Sequence, residues 1–332
     1  MSSACHSFFA VLLKILIIRL SSLGDIILSS PLIHELRKKY PDARIDFVVK
    51  KEYVSIVQQF PWLTTIYALD TTKGVEGIIK IRDELKKKRY DHILDLHNNF
   101  RSIKLRNGLG GKIHIINKRS FKRWLIVKTK INLLKNEPDI IGRYFEAADD
   151  LGVADSGAGV TFGREFPRSR IKKAAICPGA KHWNKRWLPE YYVEVAKDLI
   201  SKGYHLDFFG SAEENEYVST IALQLPQDKV KNLCGKISLA ELPQKIADCS
   251  LAITNDSGLM HVAAAVGIPT IAIFGPTVRE LGFMPRNKNV QVAENNNLDC
   301  RPCTTIGLDY CPKGHFKCMR EIVPKIVATK IS

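Results

Sequence analysis

Acidic residues are scarce in this 332-residue chain: 34 Asp and Glu stand against 50 Lys and Arg, a formal charge of +16. From Arg101 to Asn136 there is no acid at all, while eleven Lys or Arg occur. Such an excess calls for an anionic partner, and nucleic acid, an anionic membrane and a phosphorylated glycolipid each satisfy it on charge alone. No recognised nucleic-acid motif accompanies the charge, which argues against the first. The chain also lacks an apolar run fit to span a bilayer. Its beginning, residues 1–20, is apolar from Phe8 onward, but it carries Lys14 and Arg19 and is too short. No basic segment precedes that run and no small-residue cleavage site follows it, so a secretory signal is not expected. Lys14–Leu20 reads instead as the first core strand, leaving residues 1–13 as an extension or a misassigned start, with an interfacial anchor over Phe8–Leu13 as the alternative. Internal repeats of solenoid period are missing too.

The stretch Ser250–Pro276 is what the chain does have. It reads as a buried strand (250–254), a polar turn (Asn255, Asp256, Ser257, Gly258), a small-residue helix (259–266) and a second strand (270–274). Continuous apolar strands separated by a helix are the pattern of a parallel sheet covered on both faces. The turn falls at the carboxyl end of a strand, where open α/β sheets bind ligands. It also opens a helix, whose free N–H groups and positive dipole end suit phosphate. An ordinary capped turn would need neither Asp256 nor His261.

Earlier, Ser21–Asp25 forms a turn without GxGxxG, entering a helix that is expected to run to about Tyr40. Asp25 there either complements the helix dipole or takes a proton from a hydroxyl at the sheet's mouth. Strand and helix then alternate through 43–49, 53–59, 65–69, 75–88 and 92–96, giving a doubly wound first domain. A Gly- and Pro-containing stretch over 149–170 is the interdomain linker, which divides the chain into domains 1–160 and 161–332. The second half opens with a strand and the loop Pro178–Trp187, which holds cations and two tryptophans in a composition suited to phosphate and a ring. A further strand, 204–209, ends at Glu213 and Glu214; a carboxylate there either accepts from a ribose diol or caps a helix.

The run NDSGLMHVAAA followed by PTIAIFGP is similar to the C-terminal signature of bacterial lipopolysaccharide heptosyltransferases, nearest to the branch adding the second heptose. The resemblance implies the GT-B fold, with two Rossmann-like doubly wound domains facing a central cleft, and inverting transfer from ADP-heptose to the inner core, Kdo-lipid A or its mono-heptosylated form. It implies Asp25 as general base; the motif SxxGD lands there without a gap. It places the donor on Lys185 (or Arg186, since one extra residue precedes Pro189), on Glu213 ahead of Glu214, and on Asp256, Ser257, Gly258 and His261. The first half becomes the acceptor side, with Arg101, Lys104 and Arg106 as contacts for an anionic lipid A/Kdo acceptor, and the protein lies peripherally on the cytoplasmic face of the inner membrane. No Asp-x-Asp pair occurs, consistent with catalysis without a cofactor. The alternatives are a same-family transferase with another nucleotide sugar or acceptor, a nucleotide-sugar epimerase of the same fold, and a non-catalytic nucleotide-binding protein at a membrane surface.

Near the end Cys300, Cys303, Cys311 and Cys318 are spaced C-x2-C-x7-C-x6-C, with His315 inside. The pattern suits a structural zinc or two disulfides. Residues 321–331 are expected to form one helix packing back across both domains.

Overall fold

A computed structural model describes residues 12–169 and 171–331. An extension or anchor over residues 1–13 therefore lies almost wholly outside the described residues. Two parallel sheets organise the chain. The first contains β1 (Lys14–Ile18), β2 (Arg44–Lys50), β3 (Thr65–Leu69), β4 (His92–Asp95) and β5 (Lys112–Ile115), in the order β3-β2-β1-β4-β5. The second contains β6 (Lys173–Cys177), β7 (His205–Phe208), β8 (Val230–Asn232), β9 (Leu251–Asn255), β10 (Thr270–Phe274) and β11 (Val290–Glu294), in the order β11-β10-β9-β6-β7-β8. Central strands β1, β9 and β10 are nearly or wholly buried along their length, as expected where helices cover both faces. In each sheet the order reverses beside the first strand, so the crevice for ligand opens at the carboxyl ends of β1 and of β6 and β9.

The helix expected from Asp25 to Tyr40 is two helices, α1 (Leu23–Leu28) and α2 (Ser30–Lys39). Pro31 in the first turn of α2 is the cause: it has no N–H to continue the ladder, and its ring disfavours a continuous helix through the preceding turn. A proline also breaks the end of the chain. Residues 317–320 and 324–328 are separate helices, with Val323 extended ahead of Pro324 (φ −69°, ψ 155°), the conformation a residue before proline prefers. The last helix rests on helix Pro189–Ser201, and Val327 joins the core under the second sheet, so it does not reach back across both halves as expected.

The largest apolar cluster belongs to neither sheet alone. It joins Ile15 and Ile45 of the first sheet to Cys177 and Ala252 of the second. Helix Gly258–Val266 supplies Val262 and Ala263 to it and packs against α1. Among the described residues no helix is long and apolar enough to cross a membrane.

Candidate active site

Two strand-to-helix turns, one from each sheet, meet end to end. The contact is possible because both turns carry glycine: a Cβ on Gly24 would stand 2.8 Å from His261 Cδ2, and one on Gly258 would stand 3.1 Å from Leu23 Cβ. The result is a cleft of about 670 Å³ whose walls include Asp25, Lys185, Glu214, Asp256, Ser257 and His261.

Asp25 is the third residue of α1. Its carboxylate accepts from the Ser22 hydroxyl (2.8 Å) and N–H (3.2 Å) and forms an ion pair with Arg19 at 2.6 Å. Burial pushes the carboxyl up, but the adjacent guanidinium and the Ser22 hydrogen bonds outweigh it, holding the group below its ordinary value. Asp25 is thus an oriented, ionised carboxylate at neutral pH. Arg19 also donates to the Leu96 carbonyl. Sequence reasoning took Arg19 only as part of a core strand; its signal was a cation at the end of an otherwise apolar run.

Across the cleft, Asp256 pairs with Lys185 at 2.6 Å and accepts from the Thr277 hydroxyl at 2.7 Å. Of the two cations, Lys185 reaches the cleft, while Arg186 turns to the Ala180 carbonyl and the Tyr217 ring. The loop bearing Lys185 is pinned by Asn255, which is fully buried at the end of β9. Asn255 Oδ1 accepts from the Trp187 N–H and the Tyr192 hydroxyl, and its amide donates to the Pro178 carbonyl at 2.7 Å. The tryptophans are structural: Trp187 is fully buried and Trp183 stacks on Phe316 with centroids 4.6 Å apart.

Helix Gly258–Val266 begins at Ser257, whose hydroxyl is buried with no partner, as is His261 Nδ1. Burial drives the His261 imidazole down to about 4 against the pull of Asp256 and Asp25, so it is neutral at pH 7. Unpartnered polar atoms facing a cleft beside free N–H groups are a seat for an anion. Glu214 lines the cleft whereas Glu213 points to solvent. Glu214 Oε2 accepts from the Ser211 N–H at 2.8 Å, and its carboxylate occupies the space that a side chain at Gly179 would need.

The cations Arg101, Lys104 and Arg106 lie outside this cleft. Arg101 is exposed, Lys104 sits 4.4 Å from the Phe100 ring centroid, and Arg106 pairs with buried Asp95. The basic run is acid-free along the chain but not in space: Lys112 meets Asp150, and Arg119 and Lys122 both meet Glu137. Lys118 and Arg123 lie within electrostatic reach of Asp25 instead. Cys300, Cys303, Cys311 and Cys318 are free thiols. Among the described residues no three His, Cys, Asp or Glu side chains converge closely enough to hold a metal ion.

With this geometry in hand, comparisons with known proteins are specific. Residues 78–310 match the family described as glycosyltransferase family 9 (heptosyltransferase). The chain is 30% identical over 292 residues, 80% of its length and 83% of the relative's, to lipopolysaccharide heptosyltransferase 2 of Escherichia coli. It is 28% identical over 318 residues, 92% of its length and 93% of the relative's, to lipooligosaccharide heptosyltransferase 2 of Campylobacter jejuni. The solved E. coli ADP-heptose lps heptosyltransferase II aligns with a TM-score of 0.69 and 25% identity, covering 95% of this chain and 100% of that one. E. coli heptosyltransferase WaaC with ADP aligns at 0.72 and 20% identity, covering 96% and 99%. The two facing sheets are therefore the GT-B arrangement of Rossmann-like domains. The chain belongs to glycosyltransferase family 9, the heptosyltransferases.

Proposed function

We propose that the protein is an inverting glycosyltransferase that moves heptose from ADP-heptose onto the lipopolysaccharide inner core, adding the second heptose to a mono-heptosylated, Kdo-bearing lipid A. The observation that carries this reading is the meeting of an oriented, ionised Asp25 with the Lys185–Asp256 pair and a helix N-terminus in one cleft. The division into an acceptor half (1–160) and a donor half (161–332) is part of the same reading.

In the reaction we infer, an acceptor hydroxyl oxygen attacks the anomeric carbon as its bond to the diphosphate oxygen breaks. Asp25 receives the hydroxyl proton, and ADP leaves with the bonding electrons. Lys185, the Ser257 hydroxyl and the N–H groups opening helix Gly258–Val266 stabilise the departing charge. His261, neutral before the donor binds, contributes as a hydrogen-bond donor. Asp256 fixes Lys185 and faces the donor sugar's hydroxyls. Glu214, rather than the solvent-facing Glu213, takes the ribose diol. Lys118 and Arg123, rather than Arg101, Lys104 and Arg106, are the cations of the basic run within electrostatic reach of Asp25.

This reading places the protein peripherally on the cytoplasmic face of the inner membrane, where its acceptor is anchored. Catalysis draws on no metal. The spacing of the four cysteines supports a structural zinc, but the side chains as arranged do not fit one; zinc content of the purified protein decides it.

The test is sugar transfer from ADP-heptose to inner-core acceptors carrying no heptose or one. Transfer to the mono-heptosylated acceptor, abolished by Asp25→Ala, is expected. Transfer to neither acceptor while ADP still binds would overturn the substrate assignment.

A further inference from the structure

We propose that a second groove, opening off the catalytic cleft, seats the phosphorylated and acylated part of the acceptor; this rests on the glycolipid reading above. The groove has a volume of about 770 Å³ and runs between helix Ser120–Thr129 and the cysteine-bearing loop. Trp124 and Lys128 line it from the helix, and Tyr310 and Lys313 from the loop. Thr305 and Ile306 line both groove and cleft. Arg123 stands at the junction, donating to the Thr305 carbonyl at 3.1 Å and reaching Asp25 electrostatically. A molecule with its hydroxyl at Asp25 therefore continues naturally into the groove.

The lining selects the chemistry. It contains Arg123, Lys128, Lys130 and Lys313 but no Asp or Glu. Lys130 ties the walls together through the carbonyls of Cys300 (3.0 Å) and Pro302 (2.6 Å). Lys128 and Lys313 are exposed and have no carboxylate partner among the described residues. Beside them Phe121 and Trp124 stack at 6.1 Å while remaining 67% and 52% exposed. Unneutralised cations flanking bare aromatic rings fit an amphiphile with an anionic head and an apolar body. A neutral soluble sugar would leave these cations without a counter-charge.

Two paired variants of the full chain test the groove: Lys128→Ser with Lys313→Ser, and Phe121→Ser with Trp124→Ser, each checked for folding by unchanged ADP affinity. Binding is measured to phosphatidylcholine vesicles doped with mono-heptosylated Kdo-lipid A, with its dephosphorylated form, or with phosphatidylglycerol. The charge pair is expected to weaken binding to the phosphorylated acceptor about thirtyfold and to leave the dephosphorylated one unchanged. The ring pair is expected to raise the Kd for acylated acceptor but not for its deacylated form, measured by direct binding. Unchanged binding by both variants, or wild-type binding to phosphatidylglycerol as tight as to acceptor, would overturn the groove. Vesicle binding needs no turnover, so the two readings fail separately. A wild-type protein that transfers no heptose, yet loses acceptor binding in the variants, keeps the groove and loses the transferase.

Discussion

Arg19 and Asp25 are a coupled pair, and the coupling sets a pH dependence. With Arg19 in place the carboxyl titrates below its ordinary value, so Asp25 stays ionised well into acid. Removing the guanidinium leaves burial as the dominant influence, which favours the protonated form. The acid limb of kcat/KM is therefore expected to move upward in Arg19→Ala, measured as a pH–rate profile. A profile that falls in amplitude without shifting would mean that Arg19 positions the carboxylate without setting its ionisation. The neighbouring glutamates give a second comparison. Glu214→Gln is expected to raise the KM for donor about tenfold, the loss of one charge-assisted hydrogen bond, while Glu213→Gln changes it little. The sequence shows that an acid follows β7, but two adjacent acids differ by one residue of register in a short helical turn. Which one faces the cleft follows from a local capping box in which Glu214 accepts from the Ser211 N–H, so the Ser-x-x-Glu spacing was the signal in the sequence that separates the two acids.

At the scale of elements, the site depends on how closely two turns approach. Gly24→Ala places a methyl 2.8 Å from His261 Cδ2, and overpacking of this kind costs about 1–3 kcal/mol. Loss of both stability and activity is expected, read by denaturant unfolding and by transfer rate. Asn255→Ala strips four hydrogen bonds from a buried position and leaves the Trp187 N–H and the Pro178 carbonyl unpaired. It is expected to destabilise by about 1–3 kcal/mol per stranded group and to loosen the loop that presents Lys185. The strands and the turn 255–258 were legible because runs such as Leu251–Asn255 and Thr270–Phe274 are continuously apolar and end in polar turns. The break at Ser29 was not, because the apolar pattern runs on through Pro31 and only the missing N–H stops the helix. Nor could local pattern show that Gly24 and Gly258 touch, since more than two hundred residues separate them.

For the whole molecule, sequence misplaced the charge. Carboxylates just outside the acid-free run, Asp95, Glu137 and Asp150, neutralise part of it, and of the cations left over Lys118 and Arg123 lie within reach of Asp25 and Lys128 and Lys130 line the side groove. Two imidazoles, buried His261 and half-buried His97, also tie global stability to pH. Burial pushes His261 down from 6.5 to about 4 and His97 down to about 3. Both stay neutral when folded, whereas the unfolded chain binds protons below about 6.5, so stability is expected to fall as pH drops from there toward 4. The slope of melting temperature against pH should flatten in His261→Gln. The apolar cluster that runs from Ile15 to Ala252 without a seam has a consequence for heat. Two lobes joined only by a linker would melt in two steps, but lobes sharing one core melt together. A calorimetric trace of this protein is expected to show a single endotherm, and ADP, which the proposed reading seats on the second lobe, should carry the whole of it to higher temperature.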